Sequence, residues 1–169
     1  MNKNCLGQYG EDKKWMCLHG SILTQYIETP LFIANSKYDV WQERGILSLN
    51  PGDCPGSIDT NGNVHLCNNS TPRAQAEGKF WRDYGEEMVD ALSEVPDRHG
   101  AFFTSCPLHC MTSRQLWNVS AGLGDKRFGE AFMQWFYDAI EEMERTGKDN
   151  MKWKAPRWIA DKYDICLKN

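Results

Sequence analysis

An acid and a base stand at matching places in this chain. Asp39 follows a short apolar run, Leu31-Phe32-Ile33-Ala34-Asn35, and His109 follows another, Ala101-Phe102-Phe103-Thr104-Ser105. In open α/β sheets, reacting groups gather beyond the C-terminal ends of the strands. An aspartate past one strand and a histidine past a later one is the order of the last two members of a Ser…Asp…His triad. In such a triad the imidazole takes the proton of a nucleophilic hydroxyl while the aspartate fixes its tautomer. The nucleophile belongs upstream of Asp39, on a G-x-S-x-G elbow. Only Ser21 and Ser36 lie there, and neither has that setting. Each residue also has a plainer reading: Asp39 as a helix N-cap, and His109 as an imidazole paired to backbone. The joint arrangement, acid before base and each past an apolar run, favours the catalytic one.

The surrounding pattern must position that pair. Residues 31–35 form a continuous apolar run, as in a strand buried on both faces of a parallel sheet. Val40 to Leu47 suit a short helix with Asp39 at its N-terminus. Residues 50–71 carry Pro51-Gly52, Pro55-Gly56, Asn61-Gly62 and Asn68-Asn69, all turn formers, and read as one long irregular loop. Thr71-Pro72 then opens a helix as cap and first helical residue. Phe80, Trp81, Tyr84, Met88, Leu92 and Val95 recur at helical spacing along it, and Pro96 and Gly100 end it. Residues 101–105 are the second strand. Asp125 is placed to cap a second long helix, with Phe128, Phe132, Trp135, Phe136, Ile140 and Met143 on its buried face and Gly147 closing it. The order is β-α-loop-α-β-α. That is an α/β arrangement with too few strands, since natural sheets average about five or six. Residues 1–169 therefore read as a partial single domain.

Composition narrows the function classes. A length of 169 residues with 41% apolar and 25% charged side chains suits one globular domain. The formal charge of −4 and the scatter of Lys and Arg argue against nucleic acid as a partner. No apolar run approaches the roughly 18 residues of a membrane span. Met1 to Trp15 has no apolar core and reads as no signal peptide. Yet seven cysteines, two overlapping sequons in Asn68-Asn69-Ser70-Thr71 and a third in Asn118-Val119-Ser120 point to a secretory origin. The two observations agree if the intact protein is longer at its N-terminus.

Local motifs add a family. The stretch from Leu31 to Gln42, with Tyr38-Asp39-Val40-Trp41-Gln42 at its end, resembles the P-L-F-I-x-N-x-x-Y-D-x-W-Q segment of the pectin acetylesterase family. That family also includes the animal carboxylesterase Notum. Ser105-Cys106-Pro107-Leu108-His109-Cys110 is similar to its S-C-x-x-H-C segment, with Trp117 at a familiar distance beyond. The helix at Phe80 and the Trp135-Phe136-Tyr137 segment also look like the family, so that the likeness covers most of residues 5–140. The resemblance implies the C-terminal portion of an α/β-hydrolase-like fold and hydrolysis of O-acyl esters through a Ser-Asp-His triad. Asp39 matches the triad acid and His109 the base. The substrates implied for the intact family are an acylated polysaccharide or an acylated protein, and no cofactor or metal is implied. The elbow serine and the glycine-rich oxyanion segment of the family have no counterpart here. Asn118-Val119-Ser120-Ala121-Gly122 imitates the elbow, but it follows His109 and has no strand leading into it. Residues 1–169 alone are therefore expected to be inactive, since losing the nucleophile of a triad costs about six orders of magnitude in kcat.

The resemblance also suggests how cysteines pair: Cys5 with Cys17, and Cys106 with the C-terminal region, where Cys166 is the one candidate. Cys54 and Cys67 sit where a bridge would staple the long loop, and Cys110 is left over. Two rival readings stand beside the esterase. One is a non-catalytic, disulfide-rich remnant or binding protein. The other is a small zinc module around Cys106, His109 and Cys110 or His65 and Cys67, which lacks the second ligand pair that structural zinc sites use. Trp41 and Trp117 are candidates to line what remains of a pocket, although large aromatics more often serve the core. His19 and His99 read as surface or turn residues.

Overall fold

The computed structural model of the chain describes residues 1–39, 41–46, 57–58, 64–65, 72–105, 109, 122–123, 126–147, 151 and 153–160. It opens on a helical N-terminal segment. The Asn2 side chain accepts hydrogen bonds from the Asn4 and Cys5 amides and so caps helix α1, Lys3–Gln8. A 3₁₀ stretch, Glu11–Leu18, and a short helix α2, Gly20–Leu23, follow. Cys5 and Cys17 are bonded to each other and both are buried. Closing a loop of 12 residues this way stabilises the fold by about 2 to 3 kcal/mol in the chain-entropy picture. Reducing the bridge, or replacing Cys17 with Ser, is expected to lower Tm in a melt followed by circular dichroism. An unchanged Tm would mean that the native state loses as much strain as the unfolded chain gains freedom.

The central sheet has three parallel strands in the order β1-β4-β7: β1 is Phe32–Ser36, β4 is Gly100–Thr104 and β7 is Arg157–Ile159. Phe32 is in register with Gly100 and Ser36 with Thr104, while Ala101 pairs with Arg157 and Phe103 with Ile159. The two apolar runs read from the sequence thus become neighbouring strands. All five residues of β4 are buried, as expected of a strand covered on both faces. On one face Phe102, with Phe32, Ala34 and Trp158, packs against Phe128 and Ala131 of α4, the helix Phe128–Thr146. On the other, Ala101 and Phe103, with Ile33 and Ile159, pack against Met88 and Leu92 of α3, the helix Pro72–Ser93, and against Val95 just past its end. A parallel sheet with a helix on each face makes the chain an α/β fold.

The third strand has a weaker signal, three residues with arginine at its start. That arginine explains why the segment docks here. The Arg157 guanidinium donates to the carbonyls of Leu92, Val95 and Pro96, at 3.2, 2.7 and 2.9 Å, and to that of His99 at 3.3 Å. Leu92 lies in the last turn of α3 and Val95, Pro96 and His99 in the turn that leads to β4, where the Leu92 and Pro96 carbonyls also accept the Val95 and His99 amides.

Several expectations change on the structure. Helix α4 begins at Phe128, where Glu130 accepts the Arg127 amide, so Asp125 is not its cap. Gly147 closes the helix as expected, with φ of 78° and its amide on the Met143 carbonyl. Phe136 and Met143, placed on the buried face by periodicity, are each 42% exposed. A helix of 19 residues runs about 28 Å, whereas a strand of five spans about 17 Å, so the last turns of α4, with Met143, pass beyond the sheet, while the exposure of Phe136 in mid-helix has no such reason. Within the loop expected at 50–71, Ser57–Ile58 (β2) and Val64–His65 (β3) form a short antiparallel pair. A second such pair joins Gly122–Leu123 (β5) to Lys126–Arg127 (β6). Among the described residues no helix is long and apolar enough to cross a membrane.

His99 is the largest correction. It is fully buried, not at the surface. Its Nδ1 accepts the Leu31 amide at 3.0 Å, and its Nε2 lies 3.0 Å from the Thr24 carbonyl, so the partners require a neutral ring protonated on Nε2. The ring thereby ties the N-terminal segment and the entry to β1 to the turn before β4. Burial pushes its pKa below the ordinary 6.5, and the charges of Arg98 and Arg157 push the same way. Above that value folded and unfolded chains are both neutral at this site. Below it the unfolded chain binds a proton that the folded chain resists, so stability falls as pH drops. Urea midpoints measured between about pH 8 and about pH 5.5 should decline, and His99→Gln should flatten that decline.

Candidate active site

The site is built where the strands end. Main-chain pairing between β1 and β4 runs one residue past the sheet, through the Lys37 amide on the Thr104 carbonyl at 2.8 Å. The Lys37 ammonium, almost fully buried, donates to the Ala160 carbonyl just after β7 at 3.1 Å. The Ser36 hydroxyl accepts the Tyr38 amide at 2.9 Å. These bonds fix the C-terminal ends of all three strands relative to one another and set the start of the loop that carries Asp39.

Asp39 is 5% exposed and does two jobs at once. Its Oδ1 accepts the amides of Trp41 and Gln42 at 2.8 and 3.0 Å, the pattern of an N-cap over the short helical turn Gln42–Ile46. Its Oδ2 lies 2.9 Å from Nδ1 of His109, with Oδ1 at 3.1 Å. The capping reading and the pairing reading are both true of one carboxylate. The capping bonds hold its orientation, and the other oxygen is left for the imidazole.

His109 lies five residues past the end of β4, and 70 residues separate it from its partner in sequence. Its side chain is 42% exposed. With Nδ1 committed to Asp39, Nε2 has no partner among the described residues. The Trp41 ring stacks on the imidazole, with centroids 5.6 Å apart and planes 24° apart, and is itself 53% exposed. Trp41 is therefore an open surface beside the histidine and not a core residue. No serine is hydrogen-bonded to His109 among the described residues. Ser120, Trp117 and the cysteines 54, 67, 106, 110 and 166 lie outside them. Among the described residues no three His, Cys, Asp or Glu side chains converge.

Residues to which sequence reasoning gave no part in the site support the pair. Tyr38 packs its ring over Gly85 of α3, where an added Cβ would come within 3.0 to 3.1 Å of the ring. Gln42 accepts a hydrogen bond from the Tyr84 hydroxyl of the same helix. Lys37 makes the clamp already described. The signal for Tyr38 and Gln42 was their place in the Tyr-Asp-x-Trp-Gln string. Tyr84 was legible only as a member of the apolar stripe of α3, and Gly85, next to it, carries no motif.

With this geometry in view, comparison with known proteins gives a consistent result. Residues 1–155 match the family model described as Pectinacetylesterase. Among curated proteins of Arabidopsis thaliana, the chain is 25% identical to Pectin acetylesterase 4 over 143 residues, 82% of this chain. It is 28% identical to Pectin acetylesterase 7 over 132 residues, 74% of this chain. It is 24% identical to Pectin acetylesterase 11 over 129 residues, 73% of this chain. In each case the match spans 32% of the relative's own length. No solved structure matches significantly. A match over most of its length, arising together with an aspartate–histidine pair at the ends of parallel strands, establishes that this chain belongs to the pectinacetylesterase family.

Proposed function

We propose that residues 1–169 form the acid–base end of an α/β-hydrolase-like ester hydrolase that removes acetyl groups from an acetylated polysaccharide. The observation that carries this reading is the Asp39–His109 pair, made across 70 residues and held by two capping amides. A carboxylate on Nδ1 keeps the proton on that nitrogen and leaves Nε2 basic. In the reaction, Nε2 takes the proton of a serine hydroxyl as its oxygen bonds to the acetyl carbon. It then passes that proton to the sugar oxygen as the C–O bond breaks. Water, deprotonated by the same nitrogen, releases acetate and restores the serine.

The serine and the donors that stabilise the oxyanion come from polypeptide beyond the described residues of this chain. The lengths of the relatives support that reading. The buried Cys5–Cys17 bridge and the sequons support synthesis in an oxidising, secretory compartment. Two experiments test the proposal. A chimera in which this chain replaces the matching third of a full-length relative should release acetate from acetylated pectin. Purified 1–169 should take up no fluorophosphonate probe. A chimera that folds and binds the polymer without releasing acetate would sink the esterase reading, and strong labelling of 1–169 would sink the claim that its nucleophile lies elsewhere.

A further inference from the structure

The bond to Asp39 holds His109 along one edge. Its Nδ1 lies 2.9 and 3.1 Å from the two carboxylate oxygens, and its side chain is 42% exposed. A bond along one edge leaves an imidazole free to swing about the line of that bond, and Nε2 swings with it. Trp41 closes this freedom. Its indole lies beside the imidazole with planes 24° apart and centroids 5.6 Å apart, an offset stack. The indole is itself anchored twice. The Trp41 amide is bonded to Oδ1 of Asp39 at 2.8 Å, so one carboxylate sets both the main chain that carries the indole and the edge of the imidazole. The ring also lies against Gly45, one turn on, where a Cβ would stand 3.2 Å from Cε2 and 3.5 Å from Cδ2 and Cζ2. Gly45 is not left-handed, so the position needs a glycine for the space it leaves to the indole and not for its φ. Asp39, Trp41 and His109 thus form a closed triangle of contacts. A ring that is 53% exposed contributes little apolar burial, so core packing does not account for its place.

We propose that Trp41 is a positioning residue for the general base: its indole, laid against Gly45, fixes the plane of the His109 imidazole and stabilises that ring while it carries the serine proton. The inference rests on reading His109 as the base of a serine esterase. In that reaction Nε2 takes the serine proton and later gives it to the sugar oxygen, so the ring passes from neutral to cationic and back. The Asp39 carboxylate stabilises the cation from the Nδ1 edge, and the indole does so from beside the ring plane. Tryptophan attracts a cation more strongly than the other aromatic side chains, within about 6 Å of its ring centroid, and the stack falls inside that range. The attraction exists only while the imidazole is charged. It therefore acts on the transition state and not on the bound ester, which lowers the barrier without tightening substrate binding. A fixed ring plane acts in the same direction, since Nε2 must stand within hydrogen-bond reach of the serine oxygen.

Two measurements test this, one of them without catalysis. In 1–169 alone, proton NMR should place a ring proton of His109 upfield, as an indole face beside it requires, and show its Nδ1 proton at low field. Trp41→Leu should return the first toward its ordinary position and broaden the second away, while Trp41→Phe keeps both. Unchanged His109 signals in Trp41→Leu overturn the proposal. In the active chimera, Trp41→Leu should lower kcat about tenfold with KM within about twofold of wild type, and Trp41→Phe should recover most of that loss. Gly45→Ala, which crowds the indole without altering it, should lower kcat about threefold, again with little change in KM. A raised KM at unchanged kcat in Trp41→Leu would make the indole part of the surface that holds the polysaccharide, and overturns the proposal. So does an equal loss of kcat in Trp41→Leu and Trp41→Phe. If the wild-type chimera releases no acetate, the esterase reading falls, and the His109 signals of 1–169 decide the positioning role by themselves.

Discussion

Asp39→Asn, introduced into an active chimera carrying this chain, is expected to lower kcat for acetate release by about four orders of magnitude while leaving stability nearly unchanged. The geometry gives the reason atom by atom. Oδ1 of Asp39 accepts two main-chain amides, from Trp41 and Gln42. In an asparagine that position must stay an oxygen, because an NH₂ group there would face two donors. The NH₂ group therefore takes the place of Oδ2, 2.9 Å from Nδ1 of His109. It donates to Nδ1, forces the imidazole proton onto Nε2, and leaves no base for the serine. The cap survives, since Asn and Asp are about equally good N-caps. The variant thus separates two roles that wild type combines. A residue that served only as a cap would tolerate the exchange, and kcat near wild type would reduce Asp39 to that role. His109→Ala sets the floor, a loss of about six orders of magnitude. Urea midpoints measured alongside keep a folding defect from passing as a catalytic one.

Gly100→Val is expected to destabilise the chain by about 4 kcal/mol, read as a lower urea midpoint, with Gly100→Ala costing about half as much. Gly100 opens β4 directly beneath the indole of Trp135. A Cβ there would stand 2.4 Å from Cδ1 and 2.7 Å from Nε1 of that ring, and 3.0 Å from Cδ2 of Phe32. Its backbone is not left-handed, so any loss comes from crowding and none from an unfavourable φ. Trp135 is only 8% exposed and is held between Phe32, Phe132 and Trp153, with ring centroids 5.2, 5.7 and 6.4 Å away, so the ring has little room to retreat. The double variant Gly100→Ala/Trp135→Leu should recover much of the loss, because the two positions share one contact. Full additivity would mean that the strain is relieved elsewhere. Since β4 leads to His109, a displaced strand should also slow the chimera before it unfolds.

How much was legible in the sequence varied with the range of the interaction that decided it. Strands β1 and β4 were readable from their apolar runs, and 31–35 and 101–105 each match the observed element to within a residue. The two long helices were readable from their stripe, which needs only a repeat along the chain. Asp125 failed as a cap because α4 begins at Phe128 with Arg127 at the N-cap, whose amide Glu130 accepts from inside the helix, a choice that residue type alone does not reveal. His99 looked like a turn histidine because its partners, Thr24 and Leu31, are 75 and 68 residues away. The strand Arg157–Ile159 has no periodicity to display, and only the carbonyls that Arg157 reaches between the end of α3 and β4 explain its place.

The sequence by itself pointed to an α/β arrangement, to the family, and to Asp39 and His109 as the candidate acid and base, because each of these is written in local runs and short motifs. Only the tertiary structure decided that the two meet. A parallel register that sets Ser36 beside Thr104 brings the ends of β1 and β4 together, and the distance from Asp39 to His109 follows from that register, not from any property of either residue. Among the described residues the Phe136 and Tyr137 rings of α4 also stay exposed. That exposure is a consequence of packing, which a one-dimensional pattern records only as more apolar residues than the sheet can bury.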